Sequence, residues 1–353
     1  MPHTAIPASI EAIRRRFGSA LTIVGHHYQE ENVIRHTDMR GDSLELARKC
    51  AELDSRWIMF CGVYFMAESA ALLARPGTQV HLPEPSAECS MALMSPAQRL
   101  EAVLKRLSAG GRKVVPLAYV NSTLAVKGVV GRYGGSVCTS ANARLMLEWA
   151  QKQGDAVLFL PDKNLGWNTA DVLGIAELDR LVLDIRKDGE HIDLAMANKA
   201  SLLLWPGFCS IHTRFSTRQI ERLRGELPDA KIVVHPECTP QVVGAADAAG
   251  STSFIIRYAA EMPAGGTLII GTEINLVERL AREHAGRLTI LPLVESACTH
   301  MAQTTEERLA AALAAIVVAE NNNEDSPFMV HIDERVKEPA RLALERMLLA
   351  SRS

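Results

Sequence analysis

Short apolar runs rich in β-branched residues alternate along this chain with longer stretches whose apolar positions recur every three or four residues. Runs at 21–25, 57–60, 79–82, 113–119, 156–160, 201–205, 231–234, 267–271 and 288–291 have the length and composition of strands. Stretches at 43–53, 96–108, 141–153, 217–227, 251–261 and 273–285 carry the helical period, and 304–319 and 334–350 are mostly helical too. Strands alternating with helices predict an α/β protein whose parallel sheets are covered by helices on their faces. No low-complexity segment or short-period repeat interrupts the pattern.

Polar residues gather where the predicted strands stop. Gly25-His26-His27-Tyr28 follows the first run, Tyr119-Val120-Asn121-Ser122-Thr123 the fourth and Pro161-Asp162-Lys163-Asn164 the fifth. His235-Pro236-Glu237-Cys238 follows the seventh and Gly271-Thr272-Glu273 the eighth. In an open parallel sheet the carboxyl ends of the strands face the ligand crevice, so polar turns at five such ends point to a shared site. Two helix starts add to it. Thr139-Ser140 stands before the stretch beginning near 141, and Gly250-Ser251-Thr252-Ser253 before one beginning near 254. Hydroxyls and free N–H groups there suit an anion, although plain N-capping by Ser or Thr is the commoner use of such residues. Neither segment is a P-loop or a G-x-G-x-x-G dinucleotide fingerprint.

At 353 residues the chain is long enough for two or three domains and needs no disulfide staples. Lys and Arg total 38 and Asp and Glu 41, a formal charge of −3 with no long block of either sign. That argues against a nucleic-acid surface, which needs clustered cations; the triplet Arg14-Arg15-Arg16 is expected to be the solvated face of a first helix. No stretch approaches the roughly 20 apolar residues of a membrane helix, and the N-terminus lacks the pattern of a signal peptide. A cytoplasmic location is therefore expected, where thiols stay reduced.

The seven cysteines, at 50, 61, 89, 138, 209, 238 and 298, are then core residues, metal ligands or nucleophiles. No C-x2-C pair is present, which argues against a zinc ribbon and against closely spaced ferredoxin runs. Metal-binding cysteines would have to converge from distant segments. Cys89 in Ala87-Glu88-Cys89-Ser90, Cys209 in Trp205-Pro206-Gly207-Phe208-Cys209 and Cys298 in Ser296-Ala297-Cys298-Thr299-His300 each follow a predicted strand. Cys50 and Cys61 fall within predicted elements and suit packing. Cys138 and Cys238 lie in the polar turns, and spacing by itself does not choose among these residues.

Further segments complete a series: Gly41-Asp42-Ser43-Leu44-Glu45, Phe65-Met66-Ala67-Glu68, Cys138-Thr139-Ser140 and Leu160-Pro161-Asp162-Lys163-Asn164-Leu165-Gly166. Together with the turns and cysteine loops above, through Cys298-Thr299-His300-Met301, they resemble the quinolinate synthases in order and content over roughly residues 20–335. The resemblance implies three pseudo-symmetric α/β/α sandwich domains with parallel sheets around a central cluster and active site. The first would comprise 1–84 with the C-terminal helices 299–353, the second 85–209 with a charged surface insertion near 173–203, and the third 210–298. One [4Fe–4S] cluster would be held by Cys89, Cys209 and Cys298.

By the same resemblance, the activity is condensation of iminoaspartate with dihydroxyacetone phosphate to quinolinate, phosphate and water, in de novo NAD biosynthesis. The implied substrate-binding residues are His26, Ser43, Tyr119, Asn121, Thr139, Ser140, His235, Glu237, Ser251 and Thr252. Glu237 is the expected general base with His235 beside it, and His26 and Tyr28, two apart on an extended segment, handle protons of the triose. Three thiolates on four irons leave one iron open as a Lewis acid. Met66 is expected as a wall; Lys163 is open between a charge for substrate and a structural ion pair, His212 between support for the ligand loop and core. The expected partners are the two small substrates and, transiently, the enzyme supplying iminoaspartate, with no nucleic acid or membrane. An aconitase-type hydro-lyase, an iron–sulfur sensor and a cluster-free α/β protein are the rival classes.

Overall fold

The structure, a computed structural model, describes residues 5–351; residues 1–4 and 352–353, the extremes of the first expected domain, lie outside the described residues. Among the described residues the strands form three sheets whose strand pairs are all parallel. The first contains β1 (Leu21–His26), β2 (Met39–Gly41), β3 (Trp57–Cys61) and β4 (Gln79–His81), in the order β2-β1-β3-β4. The second contains β5 (Val114–Tyr119), β6 (Ser136–Cys138), β7 (Ala156–Leu160), β8 (Arg180–Val182) and β9 (Leu202–Leu204), in the order β6-β5-β7-β9-β8. The third contains β10 (Lys231–Val234), β11 (Ala248–Ala249), β12 (Thr267–Gly271) and β13 (Thr289–Pro292), in the order β11-β10-β12-β13.

With β8 set aside, the three sheets have one topology. In each, the chain enters at an inner strand, steps outward to a short edge strand, then crosses back to the other side. The order reverses between the first and third strands of each sheet, the place where carboxyl ends open a crevice. All nine expected strands are present. The four unforeseen ones, β2, β6, β8 and β11, are edge strands. The segment expected as an insertion supplies β8, which pairs with β9 in the register Arg180↔Leu202 and Leu181↔Leu203 and so widens the second sheet.

The chain separates into two compact units, residues 1–89 with 297–333 and residues 90–296 with 334–353. The first unit holds the first sheet. There Ile23, Trp57 and Met59 pack with Ile10 of the helix Ala5–Phe17 and with Leu309, Leu313 and Ile316 of the helix Glu306–Asn322. Side chains of this kind each contribute roughly 1.5–3 kcal/mol by leaving water. The Arg14–Arg16 triplet is a solvated face as expected: Arg14 pairs with Glu11 and Asp38, Arg15 with Glu11 and Arg16 with Glu320.

The second unit holds the other two sheets. Strands β5 and β7 are buried along their whole length, which is why they read as unbroken apolar runs. The last helix, Glu334–Ala350, was expected with the first domain but packs on the helix Leu124–Arg132 and on β6. Gly131 permits this, because a Cβ there would collide with the backbone of Pro339.

His81 closes β4 with no exposed surface. Burial pushes its imidazole down to about 4, against weaker opposing pulls from the Gln79 backbone and Asp325. Because the folded value is below the unfolded value of about 6.5, the unfolded chain takes up a proton first as pH falls. Stability contributed by neutral His81, on the order of 3 kcal/mol at most, is present above pH 6.5 and lost as pH drops toward 4. His81→Leu is expected to narrow the difference between urea midpoints at pH 7 and pH 5. An acid limb as steep as the parent's would show that His81 does not drive it.

Candidate active site

The third sheet supplies the densest group of polar side chains. After the apolar strand β10, the chain turns sharply, with Cys238 N–H donating to His235 O at 3.0 Å and His235 N–H donating to Gly271 O at 3.0 Å. This sets His235 and Glu237 at the carboxyl end of the sheet, 2% and 3% exposed. Glu237 Oε2 lies 2.6 Å from His212 Nδ1, and His212 Nε2 lies 3.1 Å from Thr272 Oγ1, just after β12. The His212 ring stacks on His235 with centroids 4.4 Å apart. Tyr119, the last residue of β5, adds a side-chain hydrogen bond to Glu237.

Burial by itself would raise the pKa of Glu237. His212, His235 and the Tyr119 hydrogen bond outweigh it and hold the carboxyl well below the usual carboxylate range. Burial pushes His235 the other way, down to about 3, with His212 adding to the effect and Glu237 opposing it. At neutral pH the turn therefore carries a carboxylate beside a neutral imidazole.

Asp162 follows β7, at the strand end equivalent to Thr272. Its carboxylate caps the helix Lys163–Leu173, Oδ1 accepting from Asn164 N–H at 2.8 Å and Leu165 N–H at 2.9 Å. Oδ2 accepts the Cys209 N–H at 3.1 Å. Burial, and then nearby Glu237, push Asp162 well above the ordinary range. Of the two buried carboxyls, Glu237 is therefore the more readily ionised.

The same bond fixes the Cys209 loop. Lys163 N–H donates to Gly207 O at 2.9 Å, while Thr213 bonds the Cys209 carbonyl through its N–H at 3.1 Å and its hydroxyl at 2.9 Å. Lys163 itself lies over the Phe208 ring, 5.8 Å from the centroid. Cys209 Sγ, a His212 nitrogen and a Glu237 oxygen all fall within 4.8 Å of one another, a set of soft and intermediate donors able to hold a transition metal.

A family model described as quinolinate synthetase A protein matches residues 8–349. The chain belongs to that family. It is 40% identical over 354 residues to the quinolinate synthase of Acidobacterium capsulatum, covering 99% of this chain and 94% of the relative. Identity is 42% over 360 residues with that of Corynebacterium glutamicum, covering 99% and 90%, and 41% over 341 residues with that of Bacillus subtilis, covering 96% and 91%. The protein is an enzyme of the quinolinate synthetase A family.

The cysteines of this family member sort by environment. Cys50, Cys61, Cys138 and Cys238 are buried, whereas Cys89, Cys209 and Cys298 are half-exposed. Burial pushes the Cys50 thiol up to about 12 and also raises Cys61, Cys138 and Cys238. Each half-exposed cysteine lies in the loop that follows the last inner or edge strand of its own sheet: β4, β9 and β13 respectively. These three thiols keep accessible surface at one repeated topological position, where a thiol is suited to bind a metal as thiolate.

The other expected site residues divide by unit. In the first unit, His26 ends β1 and is buried; its Nδ1 accepts the Tyr28 N–H at 3.1 Å, and the two rings meet edge-on at 4.8 Å. Ser43 is the first residue of the helix Ser43–Glu52, whose cap is Asp42, accepting from Leu44 and Glu45 N–H. Met66 is buried. In the second unit, Tyr119, His235 and Glu237 come together as described, and half-buried Asn121 leaves its Oδ1 without a partner.

Two helix starts differ from expectation. The helix near 141 begins at Ala143, and Thr139 donates its hydroxyl and N–H to Asn142 Oδ1, at 3.1 and 2.7 Å, with Ser140 half-buried beside it. Ser251 caps a helix that begins at Thr252, accepting the Phe254 N–H at 3.3 Å, and Thr252 is buried. Sequence reasoning left His212 open, marked Asp162 and Asn164 only as members of a polar strand-end turn, and did not single out Asn168. The signal for the last three was the N-cap pattern of Pro161-Asp162-Lys163-Asn164 with a further Asn one helical turn on.

Asp162→Ala removes the acceptor of three N–H groups and is expected to lower unfolding free energy by about 2–3 kcal/mol. Asp162→Asn keeps the Oδ1 acceptor and should lose less. Urea midpoints of the two variants check this, and an Ala variant as stable as the parent would contradict it.

Proposed function

We propose that the protein condenses iminoaspartate with dihydroxyacetone phosphate to quinolinate, releasing phosphate and water, as a step of NAD biosynthesis in the cytoplasm. Cys89, Cys209 and Cys298 would hold one [4Fe–4S] cluster. The observation that carries this reading is the sorting of the cysteines: three half-exposed thiols, each after the last strand shared by the common topology, against four buried ones. With three thiolate ligands, a bound cluster keeps one iron open as a Lewis acid for carboxylate, imine or hydroxyl oxygen.

The chain's own residues supply the rest. Glu237 is ionised and so ready to take a proton, and an anionic substrate beside it raises its proton affinity toward the range useful to a base. Neutral His235 can both accept and donate. His26 and Tyr28 serve the triose carbonyl and hydroxyl. Ser43, Asn121, Ser140, Ser251 and Thr252 offer hydroxyl and amide donors to carboxylates and phosphate, and Tyr119 and Thr139 would do so by giving up their bonds to Glu237 and Asn142; Ser251 caps its helix through oxygen, which leaves its O–H for a ligand. Iminoaspartate is short-lived in water, so transient contact with the enzyme that makes it belongs to the same proposal. Among the described residues no helix is long and apolar enough to cross a membrane.

A second reading, a single metal ion on Cys209, His212 and Glu237, has the convergence of their donor atoms in its favour. Anaerobic purification decides between them. Iron and acid-labile sulfide in equal amounts are expected, both lost in Cys209→Ala and both kept in Cys50→Ala; metal without sulfide would favour the mononuclear site. Glu237→Gln should keep iron and sulfide while quinolinate formation falls by about 10²–10⁴-fold. Turnover close to the parent's in that variant would remove Glu237 as the base.

A further inference from the structure

The helix Lys163–Leu173 makes contacts that neither its cap nor its core face requires. Asn168 is buried, and its Nδ2 donates to both Pro236 O and Cys238 O, each at 2.8 Å. One turn earlier on the same face, buried Asn164 donates Nδ2 to Glu237 O at 3.3 Å. Two side-chain amides thus donate to three successive carbonyls of the turn that bears Glu237.

The platform behind these amides is held from several sides. Asp162 caps its N-terminus. Gly166 lets the helix lie directly on the second sheet, because a Cβ there would stand 2.6 Å from Leu204 Cδ2 and 2.8 Å from the Phe159 ring. Thr169 Oγ1 donates to Leu165 O at 2.6 Å. Within the turn, Pro236 has its φ fixed by its ring. With carbonyls 236, 237 and 238 also held, little backbone freedom remains for the residue between them.

We propose that Asn168, with Asn164 in support, is a positioning residue that sets the direction of the Glu237 carboxylate relative to the reacting atoms. The proposal rests on Glu237 acting in turnover. Asn suits this position because its amide carries two hydrogens in one plane, matching two carbonyls that flank a third residue. Asp at 168 would place an acceptor against those carbonyls, and Ala would leave them unbonded in a dry setting. A shift of about 1 Å in a catalytic group is sufficient for a loss on the order of 10²-fold.

The test is a double-mutant cycle on the purified holoenzyme, with kcat, KM for each substrate, iron and sulfide content and urea midpoint measured for every variant. Asn168→Ala is expected to lower kcat by about 10²-fold with KM changed less than about threefold, iron and sulfide being retained. Asn168→Asp should be slower still. In a Glu237→Gln background the Asn168→Ala change should reduce the residual rate by less than about twofold, since the group it positions is gone. An equal loss in both backgrounds, or a rise in KM at unchanged kcat, would overturn the positioning role while leaving Glu237 as base. Parent-like turnover of Glu237→Gln would instead overturn the base and this proposal with it. If Asn168→Ala proves too unstable to load, Asn164→Ala, which gives up only the longer bond, carries the same cycle with an expected loss of about tenfold.

Discussion

A carboxylate taken out of water costs several kcal/mol unless a partner and hydrogen bonds replace the solvent. Glu237 is almost fully buried, and its neighbours together keep it charged. His212 and Tyr119 give it hydrogen bonds, burial and Glu237 itself shift Asp162 away from ionisation, and His235 stays neutral against the His212 ring. These roles are interdependent. Losing His212 would not merely delete one bond; it would leave an uncompensated charge in the interior, a far larger penalty. The site is better regarded as one charge state distributed over several residues than as a set of separate contributors.

The second and third sheets give that charge state its setting, and the first sheet repeats their strand order. His26 closes β1 and Tyr119 closes β5, while His235 and then Glu237 follow directly after β10. In the second and third sheets the next inner strand delivers Asp162 and Thr272 to equivalent places. Because strand ends are fixed by ladders of parallel pairing, side chains placed there inherit the rigidity of the sheet. The loops between are free to vary, and the 173–203 segment shows it by adding an edge strand without disturbing the inner ones.

The inner strands were legible because burial on both faces writes an unbroken apolar run, and every such run proved to be a strand. Met39–Gly41, Ser136–Cys138, Arg180–Val182 and Ala248–Ala249 were not, being two- or three-residue edges whose pairing comes from a neighbour rather than from their own composition. His235 and Glu237 were visible as polar residues breaking an apolar pattern at a strand end. Asn168 was not, since an Asn inside a helix says nothing of the carbonyls it will meet on a turn almost 70 residues away. The Ser251 cap was visible as a pattern and ambiguous as a function, because a hydroxyl can serve a helix and a ligand at once. The placement of the last helix depended on a glycine, Gly131, whose meaning appears only when a second helix lies against it.

The sorting of the cysteines has a consequence for chemical damage. Electrophiles and peroxides attack thiolate sulfur, and a thiol whose proton is held tightly in an apolar interior presents almost none. Cys50, Cys61, Cys138 and Cys238 are in that condition. Alkylation or sulfenic-acid formation should therefore begin at residues 89, 209 and 298 and spare the interior of the sheets. An aerobically poisoned molecule would remain folded, with its injury confined to loops that a reductant can reach.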